Sequence, residues 1–149
     1  MLPKTLEDDA TEKPPLRLLL VDIHAISRRS SRLMLDALPG LLVVGETSAL
    51  AEALTLAASL QPDLVLLGMR VQGSSGPDTA RVFTEKFPAI KVLFLTLFDT
   101  AEYVQAAMDA GAAGYVLKQE PVALVLEAIA SVMRGERYLS PGLQLEHRP

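Results

Sequence analysis

Three polar side chains stand directly after short apolar runs of the chain. Asp22, Thr96 and Lys118 supply a carboxylate, a hydroxyl and an ammonium group, and the acid and the amine can form an ion pair. A fourth apolar run ends at Gly68, which has no side chain with which to do chemistry. Each polar residue also has a structural interpretation, because Asp22 can cap a helix, Thr96 suits a strand and a loop lysine is normally solvated. Their joint placement favours a functional site.

Five apolar runs are predicted to form the strands that position these residues. The runs cover residues 18–21, 41–44, 64–67, 92–95 and 115–117. Four consecutive apolar residues before Gly68 are typical of a strand buried on both faces, as in a parallel sheet covered by helices. Segments with helical spacing separate the runs, and Pro39, Pro88 and Gly135 end three of them.

This alternation predicts an α/β fold. We expect a flavodoxin-like (βα)5 three-layer sandwich around a five-stranded parallel sheet with the strand order 2-1-3-4-5. The carboxyl ends of parallel strands share one edge of the sheet, where a crevice opens between the first and third strands. Asp22 and Gly68 are therefore expected to face this crevice, with Thr96 and Lys118 beside it.

The first predicted helix carries apolar residues at helical spacing. Ile26, Leu33 and Ala37, with Ser30 between them, are predicted to face the sheet. The arginines at positions 28, 29 and 32 lie outside this stripe. They form either a patch for a partner or a solvated helix face, and the solvated face is the favoured interpretation.

Length and composition indicate one domain in a chain of 149 residues. We predict a mobile tail at residues 1–15, a domain at residues 16–137, and a tail or the start of a linker at residues 138–149. Half of the residues are apolar, the net charge is -4 and there is no cysteine. These features favour a cytoplasmic domain and give no electrostatic footprint for nucleic acid. The apolar stretch near the start is too short to cross a membrane.

Several segments resemble response-regulator receiver domains of two-component signalling. They are LLVDIH at residues 19–24, PDLVLL at 62–67, AGAAGYVLK at 110–118 and YLSP at 138–141. The resemblance covers residues 16–141 and is closest to receivers of LuxR/NarL-type regulators. It implies that an aspartate after the third strand takes a phosphoryl group from a histidine kinase. It also implies that an acid pair after the first strand helps to hold Mg²⁺.

The resemblance is degenerate at the position of the phosphoacceptor. Gly68 stands where the phosphoacceptor aspartate is expected, and Asp22 is followed by Ile23 where the second acid is expected. Thr96 and Lys118 match the residues that bind the phosphorylated product, and Tyr115 matches the aromatic residue that changes position with the threonine.

Two chemical consequences are expected from these departures. Glycine offers no nucleophilic oxygen, so no aspartyl phosphate forms at position 68. Mg²⁺ needs several oxygen ligands, so its binding is expected to be lost or very weak, and no other metal site or cofactor is expected. Lys118 and Asp22 are then expected to pair directly. The domain is expected to be stable without metal and not to be an enzyme.

The resemblance favours an atypical receiver that acts through protein contacts without phosphorylation. The expected partner is a kinase-like protein, a regulator or a second copy in a homodimer. The expected surfaces are the first, fourth and fifth helices, with no contact to nucleic acid or membrane. One alternative is a receiver fragment of a LuxR-type DNA-binding regulator, because too few residues follow Pro141 for a helix-turn-helix domain. A second alternative is an anion sensor, in which Gly68 leaves room beside Lys118; water filling that space is favoured over this reading.

Overall fold

The structure is a computed structural model that describes residues 13–145. The strands of its main sheet are β1 (Leu16–Val21), β2 (Leu41–Thr47), β3 (Leu64–Leu67), β4 (Lys91–Thr96), β5 (Gly114–Leu117) and β6 (Tyr138–Leu139). The helices are α1 (Ala25–Asp36), α2 (Leu50–Leu60), α3 (Gly76–Lys86), α4 (Ala101–Asp109) and α5 (Val122–Met133). A separate hairpin pairs Arg70–Val71 with Ser74–Ser75. Every helix within the described residues is too short or too polar to cross a lipid bilayer.

The strands of the main sheet are parallel and lie in the order β2-β1-β3-β4-β5-β6. The predicted flavodoxin-like order 2-1-3-4-5 is confirmed for the first five strands. The sheet is one strand wider than the predicted five, because Tyr138–Leu139 pairs with β5. Tyr138 N–H donates to Ala113 O at 3.2 Å, and Ser140 N–H donates to Tyr115 O at 3.0 Å.

The C-terminal segment is more ordered than predicted. The segment at residues 138–149 begins with β6 and the buried Ser140, so the sheet extends past the predicted domain end at residue 137. A two-residue strand carries too little apolar pattern to be recognised in the sequence. Residues 1–12 of the predicted N-terminal tail and residues 146–149 lie outside the described part of the chain.

The core has two halves, one on each face of the sheet. Side chains of α2, α3 and α4 pack on one face together with Val65 and Leu67 of β3. Those of α1 and α5 pack on the other face with Leu64 and Leu66. All four residues of β3 are buried, so the interpretation of this run as a strand covered on both sides is confirmed.

The predicted inner face of α1 is wrong. Ile26 and Leu33 are 87% and 62% exposed, whereas Ser31 and Leu35 are buried. Relative to the predicted orientation, α1 is rotated so that Leu35 packs in the core and Arg28 Nη1 donates to Asp22 O at 2.7 Å. Two large apolar side chains are thus left on the outer surface of α1.

Candidate functional site

The carboxyl ends of β1, β3, β4 and β5 lie side by side at one edge of the sheet. Asp22, Gly68 and Lys118 follow three of these strands, and Thr96 ends the fourth. Backbone hydrogen bonds hold the ends in register, with Gly68 N–H donating to Val21 O at 2.8 Å and Lys118 N–H donating to Thr96 O at 2.9 Å. The strand ends form a crevice of about 320 Å³ that all four residues line.

An ion pair closes the floor of this crevice. Lys118 Nζ lies 2.8 Å from Asp22 Oδ2 and also donates to the hydroxyl of Ser27 on α1. The backbone N–H of His24 donates to the other carboxylate oxygen of Asp22 at 2.9 Å. The Asp22 and Lys118 side chains are only 6% and 17% exposed. Because both charges are largely removed from water, each depends on the other for compensation.

Gly68 lies directly against the Asp22 carboxyl group. A Cβ atom at position 68 would be 3.0 Å from Asp22 Cγ and 3.2 Å from Asp22 Oδ1, closer than ordinary van der Waals contact. The idea that the glycine opens room for an anion at this point is therefore not supported, since Asp22 fills the space. Gly76 permits a second close approach, because a Cβ there would be 2.6 Å from Gly68 O.

Ile23 supplies no polar side-chain atom to the crevice. Its side chain is exposed at the surface and is not among the residues that line the cavity. Its backbone N–H donates to Arg70 O at 3.2 Å, which ties the end of β1 to the hairpin that follows β3. Position 23 thus contributes a backbone hydrogen bond to this edge of the sheet, but its side chain has no polar atom.

Thr96 and Tyr115 hold the loop between β4 and α4 from two sides. Thr96 Oγ1 accepts the N–H of Phe98 at 3.2 Å. The Tyr115 hydroxyl donates to the carbonyl of the same Phe98 at 2.6 Å. The Tyr115 ring is fully buried and stacks on Phe94 at a centroid distance of 5.7 Å. Burial raises the pKa of the Tyr115 phenol above its ordinary value, and the charge of Asp99 raises it further.

Sequence reasoning missed three contributors to the site. Ser27 binds Lys118, Arg28 binds the backbone of Asp22, and Arg70 lines the crevice with its guanidinium carbon 5.8 Å from the Phe98 ring centroid. The serine at position 27 could have indicated a contact with the site, because position 27 lies on the inward side of α1 once the helix is correctly oriented. Arg70 was harder to find, since it belongs to a short hairpin with no periodic pattern.

The arginines of α1 do not form an open basic patch. Glu46 of β2 lies 3.5 Å from Arg28 Nε and 2.9 Å from Arg32 Nη1, and Asp36 lies 3.0 Å from Arg32 Nε. These carboxylates neutralise two of the three predicted charges. Arg29 makes no ion pair within the described residues 13–145 and is exposed.

A family model described as "Response regulator receiver domain" matches residues 18–130. This chain belongs to the response-regulator receiver family. Receiver domains are signalling domains that interact with kinases and regulators or that dimerise.

The relatives are regulators of the LuxR/NarL type. The chain is 36% identical over 126 residues to the response regulator GacA of Pseudomonas viridiflava, covering 85% of this chain and 59% of GacA. It is 36% identical over 129 residues to the nitrate/nitrite response regulator protein NarP of Escherichia coli K12, covering 87% and 60% of the two chains. The chain thus spans about three fifths of the length of these relatives.

Among solved structures, a LuxR-family response regulator from Aurantimonas sp. SI85-9A1 is similar to this chain. The two are 31% identical with a TM-score of 0.79, over 85% of this chain and 91% of the other. This likeness supports the receiver fold.

We predict that Tyr115→Phe lowers the free energy of unfolding by about 1 kcal/mol at neutral pH, because Phe98 O loses its hydrogen bond. The unfolded tyrosine ionises near its ordinary pKa of about 10, while the buried one stays protonated. Ionisation therefore favours the unfolded chain, and the stability of the wild type falls as the pH rises above about 10. The variant lacks this component, so its stability falls less steeply.

Urea unfolding of both proteins at neutral pH and at increasing alkaline pH measures the difference. Tyr103 and Tyr138 are present in both proteins, so the difference isolates Tyr115. Parallel pH profiles for the two proteins would contradict the buried hydrogen-bonded position of this phenol.

Proposed function

We propose that this chain is an atypical receiver domain that acts in signal transduction through protein contacts without phosphorylation. One observation carries the proposal: where the resemblance places the phosphoacceptor, the end of β3 presents Gly68, with the Asp22 carboxyl group packed against it. Glycine has no acceptor oxygen, and the nearest carboxylate is already bound by Lys118. The domain is therefore proposed to have no catalytic residue.

The donor set does not fit the Mg²⁺ ion that the family implies. Mg²⁺ takes oxygen ligands in a near-octahedral shell and in proteins is usually held by carboxylates. At this edge Gly68 and Ile23 supply no side-chain oxygen, and both oxygens of Asp22 accept hydrogen bonds. Within residues 13–145 no three acidic, histidine or cysteine side chains come together as a metal cluster. We therefore propose no step through a metal.

The parts that receivers use to respond to the phosphoryl group are retained. Thr96 and Tyr115 already fix the Phe98 loop in one arrangement, with Lys118 held by Asp22. The loop changes to a second arrangement only if a ligand or partner binds the two arrangements with different affinities. On this proposal the input is a bound partner, since no phosphoryl group forms.

The proposed contact surfaces are the outer face of α1 and the exposed residues of α5 and α4. Ile26 and Leu33 expose large apolar side chains on α1, and Val122 and Tyr103 expose theirs on α5 and α4. Arg29 lies between the two apolar residues of α1 and is not neutralised by an ion pair within the described residues. An apolar face with a central cation suits a protein partner: a kinase-like protein, a regulator or a second copy.

A DNA-binding regulator is the alternative setting. The chain covers 59% of GacA and 60% of NarP, both named as response regulators. In that setting the receiver controls a partner domain, and the chain itself is proposed to contact neither nucleic acid nor membrane, because its net charge is -4 and two of the three arginines of α1 are paired. A cytoplasmic location is proposed in either setting.

We predict that the wild-type chain takes up no phosphoryl group from a phosphoramidate donor and that millimolar Mg²⁺ does not raise its melting temperature. The matched control is the double variant Ile23→Asp, Gly68→Asp, which restores both acids. The three carboxylates of that variant repel one another without metal, so Mg²⁺ is expected to stabilise it. Intact mass and thermal unfolding provide the readouts. An acid-stable, base-labile label on the wild type, or a melting point several degrees higher with Mg²⁺, would refute the proposal.

For the contact surface, we predict that Ile26→Glu weakens self-association roughly tenfold or more, equivalent to about 1.4 kcal/mol. Sedimentation equilibrium over a range of protein concentrations measures this effect. Leu42→Glu is the control, because Leu42 is also a partly exposed apolar residue but lies on β2, outside the proposed face. Equal association of Ile26→Glu and wild type, or a wild type that stays monomeric throughout, would exclude a second copy as the partner.

A further inference from the structure

A groove between α1 and α5 adjoins the crevice. The groove has a volume of about 500 Å³. It shares five lining residues with the crevice: His24, Ser27, Leu95, Leu97 and Lys118. The two cavities are therefore adjacent, and we call them together the α1–α5 cleft. Each part is of the size of ordinary ligand pockets, roughly 300–1,000 Å³.

The crevice end of the cleft carries an excess of positive charge. Arg70 and Lys118 line it, against the single carboxylate of Asp22. Lys118 has three N–H donors, of which Asp22 and Ser27 take two. Arg70 makes no ion pair within residues 13–145 and stands over Phe98 at the rim. One ammonium donor and one guanidinium group are thus available to an incoming anion.

The other end of the cleft is apolar. Its lining includes Ile26 and Met34 of α1, Leu95 of β4, Leu97 of the loop after β4, and Val125 of α5. Ile26 and Leu97 are 87% and 60% exposed, so their side chains have no apolar cover in the single chain. A molecule that fills this end gains free energy by removing apolar surface from water.

We propose that the α1–α5 cleft binds a small amphipathic carboxylic acid, with its carboxylate at Lys118 and Arg70 and its hydrocarbon body between α1 and α5. Charge complementarity selects the head group. Arg70 and Lys118 carry two positive charges and Asp22 carries one negative charge, so a ligand with a single negative charge balances the site. A phosphate dianion is a poorer match, because Asp22 already holds Lys118 and fills the side of the crevice next to Gly68.

This ligand goes beyond the proposed function, because it adds a small-molecule input to a domain that acts through protein contacts. The bound acid would touch α1, the loop after β4 and α5 at once. It would therefore lie beneath part of the outer face proposed for the partner. Its effect on that face depends on the difference in its affinity for two arrangements of the loop.

Sodium octanoate is the probe, and ¹H–¹⁵N spectra of the full chain are the readout. We expect saturable shifts of the amide signals of Leu97, Lys118 and Val125. Acetate, which lacks the hydrocarbon body, and 1-octanol, which lacks the charge, should each bind at least tenfold more weakly. Lys118→Met should weaken octanoate binding by a similar factor, and Lys91→Met, at the opposite end of β4, should leave it unchanged.

A second variant guards against a folding defect in Lys118→Met. Leu97→Glu changes an exposed loop residue, removes apolar lining and adds a like charge, so it should abolish octanoate binding in a folded chain. Equal binding of octanol and octanoate, shifts confined to another surface, or no saturable shift would overturn the proposal. Shifts of the same signals with protein concentration alone would assign the cleft to a second copy and would also overturn it. Each of these outcomes is separate from the phosphoryl-labelling result, which tests the proposed function.

Discussion

The ion pair between Asp22 and Lys118 joins the end of β1 to the end of β5 across two intervening strands. Its surroundings fix both partners, because His24 N–H and Arg28 hold Asp22, and Ser27 holds Lys118. The same contacts accompany the packing of Leu35 in the core, and together they leave Ile26 and Leu33 of α1 on the outer surface. One carboxylate and one amine neutralise each other here. In a crevice with several carboxylates, their mutual repulsion lowers the stability of the domain when no metal is present. The arrangement of the whole edge depends on this pair.

The main features of the fold could be predicted from the sequence. Four buried residues in β3 and the regular alternation of apolar runs determine a parallel sheet, and that topology places Asp22 and Lys118 at one edge. The orientation of α1 could not be predicted, because Ile26 and Leu33 have the spacing of a buried stripe, whereas the inward side combines Leu35 with the polar contacts of Ser27 and Arg28. Strand β6 is too short to show a pattern, and the role of Ser27 depends on the rotation of α1.

Tyr115 and Thr96 hold the loop that lines one side of the crevice. The hydroxyl of Tyr115 donates to the carbonyl of Phe98 and the hydroxyl of Thr96 accepts the N–H of Phe98, so the loop before α4 is held in one arrangement. Leu97 of that loop also lines the α1–α5 cleft. Under the proposed function, the domain keeps the responsive loop of a receiver, and a bound partner changes the arrangement of that loop. Such a domain needs no reaction at Gly68, and the exposed face of α1 serves as its proposed contact surface.

A double-mutant cycle on the central ion pair tests the account most directly. Urea unfolding of wild type, Asp22→Asn, Lys118→Met and the double variant gives the coupling free energy between the two side chains. We predict that each single change destabilises the domain and that the double change costs less than the sum. The expected coupling is about 1–3 kcal/mol, between the values for exposed and for fully buried pairs. An Asp22→Asn variant more stable than wild type, with no coupling to Lys118, would contradict the account.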